Sequence, residues 1–321
     1  MKRMSQLTKN LITKLEEKSE LLDTPLGSIQ VAREGAGPKV LVIHGSPGGF
    51  DQGLAWARHL QNGGCELIAP SRPGYLRTPL ESGKTPAQQA DLYATMLEVL
   101  AIDTVTVLGI SSGGPSAVQF AARHPNKTNA LLLDAAVLLP ISPAGNWIDR
   151  AISESTIGTW LSCFIAEKWS KLSAALVVDI LSDGLSKDEK RQATNWIASD
   201  PDRLTSVAEL PLSLAPRKFR KIGHRNDEKN EINLVSLPFS QVTAPTLICQ
   251  GINDAFPLIS HALEASEKIS NAKLFMVDGG HHGLPWCENF NLVSEEQLKL
   301  IRSVSDEKGG SNALGGYSSK P

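Results

Sequence analysis

The chain is 321 residues long, 41% hydrophobic and 21% charged, enough to bury a sizeable core as one large α/β domain with an inserted subdomain. A formal charge of -2 without a dense Lys/Arg block leaves no electrostatic footprint for nucleic acid and points to small neutral ligands. The apolar runs break well short of the roughly 20 residues of a membrane span. Cys65, Cys163, Cys249 and Cys287, scattered without a Cys-x-x-Cys pair, read as reduced thiols of a cytoplasmic protein.

Residues 1–24 read as a helical extension. Lys9, Lys14, Glu16 and Glu17 interrupt any apolar block of secretory-signal length, while Leu7, Leu11, Leu15, Leu21 and Leu22 fall mostly on one helical face that lies on the domain. The first part of the core spans 25–140. Ile29 to Ala32 and Val40 to Ile43 are expected strands, the second a continuous apolar run of the kind buried on both faces of a parallel sheet. Glu66 to Ala69 is a third, and Thr85-Pro86 caps a helix that runs to about Leu100.

A β-branched run from Val105 then enters Gly109-Ile110-Ser111-Ser112-Gly113, and a small-residue helix leaves it. Strand, Gly-x-Ser-x-Gly and helix together form a nucleophile elbow, in which two glycines let backbone pass close to a strained serine whose hydroxyl projects from the top of the sheet. Ala130 to Ala136 supplies a further buried strand. From 141 to 236 no β-branched run reaches strand length, and Trp147, Trp160, Trp169 and Trp196 fall among helical stretches, so this part reads as a helical cap. Strand and helix alternate again over 237–305, with strands at Thr246 to Gly251 and Lys273 to Asp278; the Gly/Ser/Asn-rich tail 306–321 offers too little apolar surface to order. The pattern is that of a mostly parallel central sheet flanked by helices.

A serine nucleophile needs a base, and the base needs an anion to hold its tautomer; behind this elbow the acid and then the histidine follow on loops after later strands. Asp254 stands just past the strand ending at Gly251, where the bland alternative is a helix N-cap. His281 follows the Gly279-Gly280 pair after the last strand and is the expected base, with His282 a polar neighbour. Asp134, near the end of its own strand, is the alternative acid. The loop His44-Gly45-Ser46-Pro47-Gly48-Gly49 should donate the Ser46 N–H to an oxyanion hole, with the Ser112 N–H as its partner, while His44 orients the loop. That loop lacks the Gly-Lys-Ser/Thr ending of a phosphate-binding loop. The adjacent histidines have no third ligand at metal-site spacing, so no metal and no cofactor is expected. Arg72 reads as a loop brace more readily than as a contact for an anionic substrate.

Taken together, His44 to Gly49, Arg72-Pro73-Gly74-Tyr75, Gly109 to Gly114, Asp254 and Gly280-His281 resemble the α/β-hydrolase fold superfamily. The His-Gly-x-Pro-Gly loop is similar to that of its prolyl iminopeptidase branch, although Ser112 stands where that branch usually carries Trp. The resemblance implies acyl transfer to water through Ser111, His281 and Asp254, on an ester, lactone or similar bond of a small molecule. Dehalogenases and epoxide hydrolases of this fold use an aspartate nucleophile, against which Ser111 speaks. An aminopeptidase, a lyase or perhydrolase on the same triad, and a non-catalytic binding protein stay open as alternatives.

Overall fold

The computed structural model describes residues 2–142, 161, 163–166 and 168–313; Trp147, Trp160 and the tail 314–321 lie outside the described residues. Its centre is an eight-stranded sheet in the order β1-β2-β4-β3-β5-β6-β7-β8. The strands are β1 (Glu20–Thr24), β2 (Gly27–Gly35), β3 (Lys39–Ile43), β4 (Glu66–Pro70), β5 (Val105–Ile110), β6 (Thr128–Asp134), β7 (Thr246–Gly251) and β8 (Ala272–Val277). The β1–β2 and β2–β4 pairs are antiparallel and all the others are parallel. The apolar runs dictate this: every residue of β5 and β7 is buried, as parallel strands covered on both faces require.

Alternate residues of each strand feed two cores. Val105 and Val107 join one with α4 (Pro86–Val99) and α5 (Gly114–Arg123), and Leu108 and Ile110 join the other with α2 (Phe50–Trp56) and α3 (Arg58–Asn62). The Thr85–Gln88 capping box with Pro86 starts α4, as its sequence requires. At the N-terminus the expectation needs correction. Helix α1 (Lys2–Glu17) ends before Leu21 and Leu22, which belong to the edge strand β1, where Leu22 pairs with Ile29. Their spacing continued the helical stripe, but the turn through Pro25, Leu26 and Gly27, with Gly27 at φ +126°, folds residues 20–24 back as a hairpin along β2.

Between β6 and β7 the described residues form helices and no strand: α6 (Ser170–Leu181), α7 (Lys187–Ala198), α8 (Pro201–Ser213) and α9 (Lys221–Ile232). Ser186 caps α7 through a box with Glu189, and Asp200 caps α8 ahead of Pro201. Ala174, Val177 and Val178 of α6, Ile197 of α7 and Val207 and Leu210 of α8 pack into the second core, which seats these helices above the carboxyl ends of the strands. Helix α10 (Ile259–Lys268) follows β7, and α11 (Phe290–Ala313) carries helix past residue 306, where the composition alone suggests disorder. All four cysteines are buried thiols. No described helix is long and apolar enough to cross a membrane.

Candidate active site

Ser111 is the first residue after β5 and adopts φ +48°, a left-handed conformation that costs a non-glycine residue roughly 1–2 kcal/mol. Its carbonyl accepts the Val137 N–H at 2.9 Å. The flanking glycines are required by space: a Cβ on Gly109 would meet the Ala117 Cβ at 2.5 Å, and one on Gly113 would meet the Ile43 carbonyl oxygen at 2.3 Å. Strain held by close packing on both sides is the signature of the elbow.

The loop after β3 lies beside this serine, with Gly45 and Ser46 lining the same cavity as Ser111. His44 fixes that loop. Its Nε2 accepts the Arg72 backbone N–H at 2.9 Å, its Nδ1 lies 2.7 Å from the Gly45 carbonyl, and burial together with the Arg72 charge holds the imidazole well below its ordinary pKa. The Ser46 hydroxyl meets the Tyr75 hydroxyl at 2.8 Å and His224 Nδ1 at 2.9 Å. Ser112 is buried behind the nucleophile, its carbonyl accepting from Arg72 Nη1 at 3.2 Å. Arg72 itself is fully buried and forked onto Asp227 of α9, whose carboxylate also accepts from the Tyr75 hydroxyl. It is thus spent on bracing the loop, the cap helix and the elbow together.

Asp254, on the loop after β7, is buried with both oxygens engaged. Oδ1 accepts the Phe256 N–H at 2.8 Å, and Oδ2 takes Gln250 Nε2 at 3.0 Å and lies 3.1 Å from Nδ1 of His282. The imidazole on this acid is therefore that of His282, where the sequence reading has His281. His282 also lines the cavity that holds Ser111. His281 points the other way: its Nδ1 accepts the Gly283 N–H at 3.1 Å, its backbone N–H donates to Cys287 Sγ at 3.3 Å, and its buried Nε2 has no partner among the described residues. Burial, helped by the neighbouring His282 and opposed by Asp254, lowers its pKa to about 4, so it is a neutral core residue. Adjacent residues in an extended turn face opposite sides, and no local sequence signal distinguishes the two.

Asp134, the alternative acid, is fully buried elsewhere in the same layer. It accepts from Trp56 Nε1 at 3.0 Å and from Gln297 Nε2 at 2.7 Å, and Gln297 passes the chain on to His59 at 2.7 Å. Trp56 in turn lines the cavity and packs edge-on to Trp286, with ring centroids 5.7 Å apart. The cavity has a volume of about 270 Å³ and is walled by Leu176, Ile180 and Leu181 of α6, Leu210 and Pro211 of α8, Leu214, and Arg217. Its lining is mostly apolar, and Ser46, Gln52, Ser111, Ser173, Arg217 and His282 bring polar side chains to it. The sequence reading has His282 only as a polar neighbour and singles out neither Trp56 nor Arg217, all three of which line the cavity. The last two come from helical segments whose approach to the serine is fixed only by tertiary packing.

A family model described as alpha/beta hydrolase fold matches residues 38–154. A solved alpha/beta hydrolase fold protein from Nakamurella multipartita is 33% identical, with a TM-score of 0.84, and the match covers 88% of this chain and 99% of that one. The uncharacterised hydrolase YcgS of Bacillus subtilis (strain 168) is 28% identical over 264 residues, 80% of this chain and 88% of its own. A 2-hydroxy-6-oxononadienedioate/2-hydroxy-6-oxononatrienedioate hydrolase of Pseudomonas putida is 26% identical over 272 residues, 78% of this chain and 84% of its own. With the strand order, the elbow and these matches in agreement, the chain belongs to the α/β-hydrolase fold family.

Proposed function

We propose that the protein is a serine hydrolase that cleaves an ester, lactone or related acyl bond of a small molecule. The observation that carries this reading is that Ser111, strained at its elbow, and His282, held by Asp254, open onto one apolar cavity. His282 Nε2 takes the Ser111 proton as the hydroxyl oxygen attacks the carbonyl carbon. Asp254 keeps the other ring nitrogen protonated and stabilises the imidazolium. The N–H groups of Ser46 and Ser112 bind the oxyanion; collapse of the tetrahedral intermediate expels the leaving group, which takes the proton from His282. Water, deprotonated by His282, then attacks the acyl-enzyme, releases the acid and restores Ser111. No step calls on a cofactor.

The cap helices α6 and α8 supply the cavity's apolar walls and so its selectivity. The test is hydrolysis of a panel of p-nitrophenyl esters, lactones and aminoacyl amides, with a 2-hydroxy-6-oxo acid of the kind named for the Pseudomonas relative added. Ser111→Ala serves as blank, alongside labelling by a fluorophosphonate probe. The expected result is covalent labelling and turnover that both vanish in Ser111→Ala, a loss of roughly 10³-fold or more in kcat. Undiminished turnover by that variant refutes the assignment, and a preference for free-amine amides favours the peptidase branch.

A further inference from the structure

Arg217 sits in the cavity without a task in acyl transfer. It begins the short turn Arg217–Phe219 between α8 and α9 and lines the cavity, half-buried. Among the described lining residues it is the one lysine, arginine, aspartate or glutamate.

The other buried arginines show how a guanidinium is paired in this fold, through its two Nη groups. Arg72 is forked onto Asp227. Arg220, three residues beyond Arg217, is forked onto Asp51 at 2.9 and 2.7 Å, and donates to the carbonyls of Gly48 and Ala215, each at 2.7 Å. The Arg217 side chain makes no ion pair and no hydrogen bond among the described residues. Burial works against its charge, as does the like charge of Arg220, while Cys163 acts in its favour and no carboxylate does. Arginine nonetheless stays protonated at any physiological pH.

A half-buried guanidinium beside apolar walls, with no counter-ion to share its charge, is poorly compensated for the water it loses, and an anion entering the cavity gains that charge undivided. A carboxylate does this best, because its two oxygens match the planar fork and form two charge-assisted bonds. We infer that Arg217 is a specificity residue and that the substrate carries a carboxylate on its acyl part, a half-acid ester or lactone-acid in place of a simple alkanoyl ester. The inference rests on Ser111 being the nucleophile, whose cavity Arg217 also lines. It replaces the small neutral ligand expected from the overall charge. Arg72, the less favoured candidate for an anion contact, has its charge consumed by Asp227.

The test uses two esters of equal length that differ in one charge, p-nitrophenyl hydrogen glutarate and p-nitrophenyl methyl glutarate. The native protein should favour the anionic ester by about tenfold or more in kcat/KM, expressed in KM, as one desolvated charge pair allows. Arg217→Gln should bring the ratio close to one, and Arg217→Lys should keep part of it, since lysine retains the charge but loses the fork. A native ratio near one, or a ratio that survives Arg217→Gln, overturns the inference.

Calorimetric binding of 4-phenylbutyrate against 4-phenylbutanamide to the Ser111→Ala protein, with and without Arg217→Gln, separates this inference from the hydrolase reading. Arg217-dependent binding of the acid, without turnover of either ester, sinks the hydrolase reading and keeps the anion site. Brisk turnover of both esters without discrimination, together with equal binding of acid and amide, does the reverse.

Discussion

Oδ2 of Asp254 lies 3.1 Å from Nδ1 of His282, while the ring of His281, one residue earlier, turns into the core and accepts the Gly283 N–H. Both histidines follow the same glycine pair, yet the arrangement gives them opposite consequences. His282→Gln should lower kcat by roughly 10²–10⁴-fold with the fold intact, as loss of a general base does. His281→Gln should act mainly on stability, through the core contacts around Cys287, and leave most of kcat. Paired kcat and melting measurements on the two variants decide it; the reverse pattern would restore His281 as the base.

Arg72 and Asp227 are both almost fully buried and join the loop after β4 to helix α9. Removing one member of such a pair leaves an uncompensated charge, so Asp227→Ala should cost about 3–5 kcal/mol, read from the shift in the urea midpoint. Asp227→Asn, which keeps the shape and one acceptor, should cost less. Because Arg72 Nη1 also holds the Ser112 carbonyl, kcat should fall in the Ala variant even below its melting temperature. A variant as stable as the native protein contradicts this role.

What could be read before folding divides by the range of the signal. Val40 to Ile43, the Gly-x-Ser-x-Gly turn and Asp254 were legible because each is fixed by a local requirement: burial on both faces, close packing under a strained residue, and a loop at a strand's carboxyl end. Leu21 and Leu22 were misread because an edge strand presents only one weak stripe, which a helical period also fits. The choice between His281 and His282 depends on which way a two-residue turn faces, and Arg217 and Trp56 come to line the cavity of Ser111 only through packing of segments far from it in the chain. Such long-range contacts leave no trace in local periodicity.

Burial lifts the Asp134 carboxyl to about 6, with the Trp56 and Gln297 donors pulling it the other way. Because the folded value lies above the ordinary 3.8, the ionised form is the costly one in the fold. That cost is complete above about pH 6 and shrinks as pH falls toward 3.8, where the native state takes up a proton before the unfolded chain does. Trp56→Phe removes a donor to the carboxylate and should raise its pKa further. The variant should therefore lose about 1–3 kcal/mol relative to the native protein at pH 8, and less at pH 5, where Asp134 is largely protonated. Chemical denaturation at the two pH values checks this; an equal loss at both would show that Trp56 contributes through packing alone.

The left-handed backbone at Ser111 sets activity against stability. Alanine there removes the nucleophile but keeps a Cβ in a conformation that L-residues avoid, whereas glycine removes the nucleophile and the strain together. Glycine also gains freedom in the unfolded chain, which offsets part of the relief by roughly 0.4–1 kcal/mol. Ser111→Gly should thus be inactive like Ser111→Ala, yet more stable than it by on the order of 0.8 kcal/mol, the middle of what remains once the 1–2 kcal/mol of strain is set against that entropy. Denaturation of the two variants side by side measures the difference directly. Equal stability would mean that the packing of Gly109 against Ala117 and of Gly113 against Ile43 does not hold residue 111 at its positive φ once the hydroxyl is gone.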